Sequence, residues 1–450
     1  MSFKATDLTQ GNIYKTLLHF AVPFFAASFL QALYGTVDMI IVGWFTNAAG
    51  ISAVSIGSQV MYIINSLITG LALGATVLIA QYLGAGKTNA IKDTVSTMLL
   101  LFTICAVILT AAILIFSDFI ISLLNTPPQA VADCRDYISI AAIGIFFTLM
   151  YNGISAIFRG YGDSQSPLLF IAIACISNIV LDYLMIGIFG MGPAGAALAT
   201  IISQALSMIL AIVYLKKIPQ LASLSINSFH LHYQKLRQLI KLGLPISLQE
   251  SLVHTSFLII TVIVNSYGVD ASAAVGISNK FNGFAMLPAI AFYGAVAAMV
   301  AQNMGAGNHR RATQTLKVGI ICSVIGSLFF FFWVQFWPES VLRIFNSSPT
   351  VIAAGTQYMR SFSWEFIMVG FIFSLEGFMT GCGKTTFCMF NEILSSIIFR
   401  IPLAFILSSA LGLFGIGLAA PIASLATIAI AFTYVRSGRW RKNTVINQTL

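Results

Sequence analysis

Apolar and polar positions along the chain alternate in long blocks, giving twelve apolar windows separated by polar or Gly- and Pro-rich breaks. The windows lie near residues 16–45, 52–82, 94–116, 137–158, 166–189, 193–215, 240–266, 273–303, 314–336, 355–380, 386–410 and 413–435. Crossing the hydrocarbon of a bilayer takes roughly 20 residues of helix, and each window reaches that length. The expected fold class is therefore an all-α integral membrane protein with twelve transmembrane helices. Pro23, inside the first window, removes a backbone donor and clashes one turn back, so span 1 is predicted to bend there.

Composition turns this expectation into an exclusion. Of 450 residues, 58% are apolar and only 8% charged, against about 25% charged in soluble domains. A globule of this make-up could not cover its surface with polar groups. Soluble enzymes, nucleic-acid binders and disordered regulators are set aside. The net charge of +9 is not gathered into one patch, so it does not call for a nucleic-acid partner. Its distribution instead orients the chain. With the N-terminus in the cytoplasm, eighteen of the 23 Lys and Arg fall on that side, and only Arg135, Arg343 and Arg360 fall outside. Lys280 and Arg400 lie within spans. A multi-pass protein of the cell (plasma or inner) membrane with both termini cytoplasmic is expected, and its N-terminus, lacking a small-residue cleavage site, reads as mature. The six cysteines have no CxxC spacing and imply neither a disulfide framework nor a zinc site.

The chain also repeats itself. Ala80-Gln81-Tyr82-Leu83-Gly84-Ala85-Gly86 returns as Ala301-Gln302-Asn303-Met304-Gly305-Ala306-Gly307, 221 residues later. Pro23 and Pro245, Gly160-Tyr161-Gly162 and Gly381-Cys382-Gly383, and Leu198-Ala199 and Leu418-Ala419 keep nearly the same offset. Two copies of a six-helix unit follow. Because six is even, the copies are parallel and their pseudo-two-fold axis is normal to the membrane, the layout of a transporter with two rocking halves. The expected organisation is an N-lobe over 1–216 (spans 1–6), a polar linker over 217–239 with His230, His232, Lys235 and Arg237, and a C-lobe over 240–450 (spans 7–12 and a basic tail).

Two motifs resemble enzyme chemistry and are rejected. Gly160-Tyr161-Gly162-Asp163 has the GxGD spacing of intramembrane aspartyl proteases, but its repeat counterpart carries Lys384, and a helix-terminating turn explains both copies. Gly86-Lys87-Thr88 and Gly383-Lys384-Thr385 resemble the end of a phosphate-binding loop, yet lack the earlier glycine and a preceding strand. No catalytic residue is expected, and the chain is read as a secondary transporter rather than an enzyme.

Ionisable groups within spans are costly, about 2.5 to 3.5 kcal/mol or more each on insertion, so they need partners or a water-lined cavity. Here they are Asp38, Asp182, Glu250, Glu365, Glu376, Glu392, Lys280 and Arg400. The excess of acid points to protons, metal ions or cationic ligands. Asp38 in span 1 and Asp182 in span 5 both lie roughly 10 Å below the outer ends of their spans. Asn178 is one turn from Asp182 on the same face, and Thr200 in span 6 falls at a similar depth. These oxygen donors and one amide suit Na⁺ or a shared proton. The alternative for Asn178, Asp182 and Thr200, and with less weight for Asp38, is interhelical hydrogen bonding alone. The repeat counterparts Ile260, Phe399, Leu403 and Ala420 are apolar, so only the N-terminal copy carries this site. Glu250 in span 7, with His254 one turn on, is about 15 Å from the cytoplasmic end and forms a second candidate site for a proton or a cationic substrate. Glu365, Lys280 and Arg400 are expected to form a structural charge network, while Glu376 and Glu392, near the inner boundary, are read as solvated.

These residues resemble the multidrug and toxic compound extrusion (MATE) family, prokaryotic type, over essentially the whole chain. The resemblance is carried by the two AQ-x-x-GAG segments, Val37-Asp38 to Val42-Gly43, Arg159 to Asp163, Asn178 through Leu181-Asp182, and Gly195-Ala196-Ala197-Leu198-Ala199-Thr200. It implies a cation-coupling site at Asp38, Asn178, Asp182 and Thr200 that would take H⁺ or Na⁺, and a bend at Pro23. Glu250 is similar to a span 7 glutamate of other branches. Export of organic, often cationic or aromatic compounds by a monomeric, cation-coupled antiporter embedded in membrane lipid is the expected function, with no cofactor beyond the coupling ion. The 36 phenylalanines and 15 methionines could supply adaptable apolar walls. A lipid-linked precursor flippase of related two-lobe architecture is the alternative; it should line its cavity with cationic residues.

Overall fold

The computed structural model describes residues 6–222, 230–345, 347–442 and 445, and all regular structure among them is helical. The first six spans are α1 (Ile13–Phe45), α2 (Ala48–Gly84), α3 (Thr88–Leu123), α4 (Val131–Gly160), α5 (Gln165–Asp182) and α6 (Gly192–Leu215). Then come α7 (Tyr233–Asn265), α8 (Val269–Ala285), α9 (Leu287–Gly305), α10 (His309–Phe336) and the short α11 (Pro338–Leu342). The chain ends in α12 (Pro349–Phe362), α13 (Trp364–Gly381), α14 (Thr385–Ile393) and α15 (Ile401–Arg436). Spans 8 and 10 are each interrupted once, at Met286 and Ser363. Among the described residues, eleven stretches are long and apolar enough to cross a bilayer; the last, Thr385–Arg436, breaks at Gly412 (φ 60°, ψ −138°) and so holds two of the twelve predicted spans. The chain is a multi-pass membrane protein. Helices overrun the apolar windows, as where α3 starts at Thr88 rather than 94, because i to i−4 bonding continues beyond the hydrocarbon that hydropathy senses.

The duplication reappears at the helix ends. Gly86, Gly307, Gly162 and Gly383 hold φ of +68°, +73°, +81° and +75°, a left-handed conformation open to glycine because it has no Cβ. Each closes a helix in the same way: Gly86 N–H donates to Leu83 O and Lys87 N–H to Tyr82 O, and the other three turns repeat the pattern. The apparent protease and phosphate-loop motifs are these turns. Asp163 then accepts from the N–H groups of Gln165 and Ser166 and caps the start of α5.

Packing groups residues 26–240 into one compact unit, and residues 8–25 with 241 onward into another. Residues 8–25, which the sequence reading gives to the N-lobe, thus cluster with the second unit. In the first unit α4 packs against α2, α3 and α6, and α5 lies against α6. In the second, α13 packs against α9, α10 and α15. One contact is repeated: a Cβ at Gly160 would lie 2.8 Å from Ile79, and one at Gly381 would lie 2.8 Å from Val300, both at the 221-residue offset. Glycine there lets neighbouring backbones approach.

The first half of α1 places Leu17, Phe20 and Ala21 in the core of the second unit with Val296, Met299 and Phe378. Leu8 N–H donates to Gln302 Oε1 (3.1 Å), Asn303 Nδ2 donates to Leu8 O (3.1 Å), and Arg311 donates to the carbonyls of Leu8, Gln10 and Gly11. The expected linker 217–239 falls partly outside the described residues. Its described end binds the first unit: His230 N–H donates to Ser96 Oγ (2.7 Å), and Lys235 Nζ to the Tyr82 hydroxyl (2.7 Å), which donates to Gln238 (2.8 Å). The duplicated segment therefore anchors an incoming chain in each unit, through Gln302 and Asn303 in one and Tyr82 in the other.

Candidate functional site

Within the first unit, α1 supplies Asp38, and α5 supplies Asn178 and Asp182 one turn apart at its end. All three are buried, Asn178 and Asp182 completely. The carboxyls of Asp38 and Asp182 are neighbours close enough to interact directly, and Asn178 adjoins Asp182. Asp38 Oδ1, both Asp182 oxygens and both amide atoms of Asn178 nevertheless lack a hydrogen-bond partner among the described residues. Burying such groups unsatisfied costs several kcal/mol in order of magnitude. Directly after Asp182 the chain makes a π turn, Tyr183–Ile188, held against Phe45 of α1 by an edge-on contact of 5.8 Å with Tyr183. Wide turns of this sort recur at functional sites because they redirect side chains.

Two tyrosines complete the site, and sequence reasoning did not include them. Tyr34, one turn before Asp38, has its buried hydroxyl beside Thr200 on α6 and near both carboxyls. Thr200 is half-buried and joins the site through that tyrosine. Tyr137 on α4 also approaches both acids and shares a 3.1 Å hydrogen bond with Ser58 of α2. The i, i+4 spacing of Tyr34 and Asp38 was a findable signal. Tyr137 left none, since only the packing of α4 brings it near. The donor set is two carboxylates, one amide and hydroxyls, and no group of three His, Cys, Asp or Glu suited to a metal ion occurs among the described residues. A shared proton or a hard monovalent cation fits such oxygen-rich surroundings better than a transition metal.

The second unit holds a different cluster. Glu250 and His254 lie half-buried on α7. Glu365 and Glu376 on α13 and Glu392 on α14 are buried, with Glu376 and Glu392 only 4% and 8% exposed. Solvation of Glu376 and Glu392, expected from their apparent depth, is thus corrected: α13 is enclosed by α9, α10 and α15, and α14 packs against α13 and α15. Gln249 Nε2 donates to Glu376 Oε2 (3.0 Å), and Ser396 donates to Glu392. Arg400 closes a second π turn, Leu394–Arg400, and pairs with Glu365 at 3.3 Å. Lys280, expected in the same network, is exposed and takes no part in an ion pair among the described residues. Pro23 lies inside α1, which stays helical through it.

Comparison with known proteins adds the following. A family model described as MatE matches residues 23–184 and 245–406, once in each repeat. The "Probable multidrug resistance protein YpnP" of Bacillus subtilis is 31% identical over 438 residues, covering 97% of this chain and 98% of that protein. The "Probable multidrug resistance protein NorM" of Thermotoga maritima is 27% identical, covering 97% and 95%. Among solved structures, an "Outward-facing conformation of a multidrug resistance MATE family transporter of the MOP superfamily" superposes with a TM-score of 0.91 at 20% identity, covering 97% of this chain and 98% of that one. That likeness shows the fold.

Proposed function

The chain belongs to the MATE family, whose members are secondary transporters rather than enzymes, and from this premise we propose that it exports organic, often cationic or aromatic compounds in exchange for inward H⁺ or Na⁺. The observation that carries the reading is the buried Asp38–Asp182 pair with its unsatisfied oxygens. Two carboxylates side by side repel when both are charged; a proton or Na⁺ removes the repulsion. That difference in interaction energy is what a bound ion needs to shift a conformational equilibrium. Asn178 would orient Asp182, Tyr34 would supply a further oxygen, and Thr200 would take part in the coupling site by positioning Tyr34. The direct carboxyl–carboxyl contact favours a shared proton, and the donor set also accommodates Na⁺.

Pro23 would serve as the hinge that turns ion binding into movement. It lies about 22 Å along α1 from Asp38, and α1 changes its packing allegiance between Phe25 and Ala26. Movement of α1 at that point would change the shape of the first unit and drive substrate outward by alternating access. Glu250 and His254 form a second position for a proton or a cationic substrate. The bias of Lys and Arg supports cytoplasmic termini in a plasma or inner membrane, and a monomer suffices for the mechanism.

The flippase alternative is not favoured. Its cationic cavity is missing from the described residues: Lys280 is exposed, and Arg400 is paired to Glu365. The relatives matched over nearly the whole chain carry multidrug names. The test is Asp38→Asn in a variant that inserts and expresses normally, assayed for dye export from proteoliposomes with pH and sodium gradients imposed separately. Loss of gradient-driven export supports the assignment; undiminished coupled export contradicts it. The gradient that drives the parent protein identifies the ion.

A further inference from the structure

Charge is balanced differently in the two units. In the first, no Lys, Arg or His pairs with Asp38 or Asp182 among the described residues. In the second, a single guanidinium is buried among acids. Arg400, 5% exposed, donates from Nη2 to Glu365 Oε1 (3.3 Å), and the same oxygen accepts from Ser424 Oγ (2.9 Å). The ring of Phe257 lies beneath the guanidinium at 5.2 Å. Neither member of the pair has a charged repeat counterpart, the 221-residue offset giving Ile179 for Arg400 and Gly144 for Glu365.

We propose that Arg400 is a tethered counter-cation: at Glu365 it occupies the role that an exchangeable ion plays at Asp38 and Asp182, so that this part of the second unit keeps constant charge through the transport cycle. The proposal deepens the coupling reading above and rests on it for what the exchange accomplishes, while the ion pair itself can be tested without transport. The argument is geometric. A fixed cation on a short π turn cannot leave, so it removes the need for an ion from solution at that carboxylate. Replacing the guanidinium with a neutral group of similar length would leave a buried carboxylate uncompensated. Glu365 would then have to recruit a proton.

Several other groups face this pair and must be held in view. Glu392 on α14 and Tyr358 on α12 both interact with Arg400. Glu392 also acts on Glu365, and Glu250 on α7 and Glu376 on α13 interact with Glu392. None of these is altered in the variants below, and their response to losing Arg400 is common to Arg400→Gln and the double variant, so the difference between those two backgrounds isolates Glu365.

The experiment measures thermal melting of the purified full chain in detergent across pH for the parent, Arg400→Gln, Arg400→Lys and the double variant Arg400→Gln/Glu365→Gln. In Arg400→Gln, the proton that Glu365 must bind on folding makes stability fall as pH rises, with an added slope of up to tenfold in the folding equilibrium per pH unit. Arg400→Lys, which keeps the charge, follows the parent profile, and the double variant loses the added slope. An unchanged profile in Arg400→Gln overturns the proposal. So does an added slope that survives in the double variant, which would make Glu392 rather than Glu365 the carboxylate that Arg400 neutralises. If Arg400→Gln aggregates at neutral pH, the proposal requires it to be monodisperse near about pH 5.5, where the carboxyl can protonate, and aggregation at both pH values also overturns it. Coupled dye export by the double variant, within about threefold of the parent, separates this result from the N-terminal coupling site: loss of coupling in Asp38→Asn with a flat Arg400→Gln profile sinks only the present proposal, and the reverse outcome sinks only the coupling reading.

Discussion

The two units are copies of one six-helix plan, yet they bury opposite kinds of electrostatics. The first holds two neighbouring carboxyls with tyrosine, amide and hydroxyl neighbours and, among the described residues, no base paired to them. The second buries acids on α13 and α14, one of them paired to Arg400, with Gln249, Ser396 and Ser424 donating to them. Four helix-closing turns and one glycine contact recur across the offset of 221, while Asp38, Asp182, Glu365 and Arg400 have no charged counterpart. Backbone geometry in a bundle is shared by many contacts and resists change, whereas a charge is set by single side chains and its cost depends on a few neighbours. An uncompensated pair is poised to bind an ion. A compensated one is poised to stay as it is.

The sharpest way to break that contrast is at the uncompensated pair. Asp38→Asn or Asp182→Asn should lower gradient-driven export on the order of a hundredfold, the upper range of coupling energies, when initial dye transport is compared in proteoliposomes of matched protein content. Equal loss from Glu365→Gln would mean that the two units are not divided in this way.

The shared frame can be probed at its repeated glycine. Gly381→Ala should destabilise by about 1 to 3 kcal/mol, as overpacking does, because the new Cβ would meet the Ala297 carbonyl oxygen at 2.7 Å. Gly160→Ala should cost less, since its nearest obstacle is the Ile79 side chain at 2.8 Å, which can shift rotamer. Melting temperatures of the two variants in one detergent would rank them, and the reverse order would show that the first unit is the stiffer.

A smaller effect is expected at the anchors. Arg311→Ala removes donors to three backbone carbonyls and should speed amide exchange over residues 8–12, by about 1 to 2 kcal/mol of local stability. Tyr82→Phe removes the hydroxyl that joins Lys235 and Gln238 and should do the same over 233–240 by about 1 kcal/mol. Exchange measured by mass spectrometry would show each change confined to its own segment; spreading into α9 or α2 would mean that the anchors also hold the cores.

The least change is expected from Thr200→Val. Thr200 reaches the acids only through Tyr34, so export should drop by less than about fivefold, and a loss as deep as that of Asp38→Asn would make its hydroxyl a direct ligand.

Much of this was legible along the chain. Long apolar windows, the recurring AQ-x-x-GAG segment and the glycines at +φ turns are local or periodic properties, and membrane insertion leaves helices as the way to satisfy an unpaired backbone. Asp38, Asn178 and Asp182 were visible because charge in hydrocarbon is costly wherever it falls, and helical spacing alone puts Asn178 beside Asp182. What stayed hidden depends on how helices turn toward one another. Glu376 and Glu392 looked solvated from their depth, and are buried because α13 is surrounded and α14 packs against α13 and α15. Lys280 and Arg400 were both expected beside Glu365; Arg400 pairs with it from the end of a π turn, and Lys280 is exposed. Tyr137 carries no spacing signal, and its approach to the acids comes from the packing of α4. Residues 8–25 read as part of the first repeat and pack with the second unit. Periodicity reports a helix's own geometry and the cost of its residues in lipid. Which faces meet is decided by side-chain shape and charge summed over many distant contacts, and no window along a single chain contains that sum.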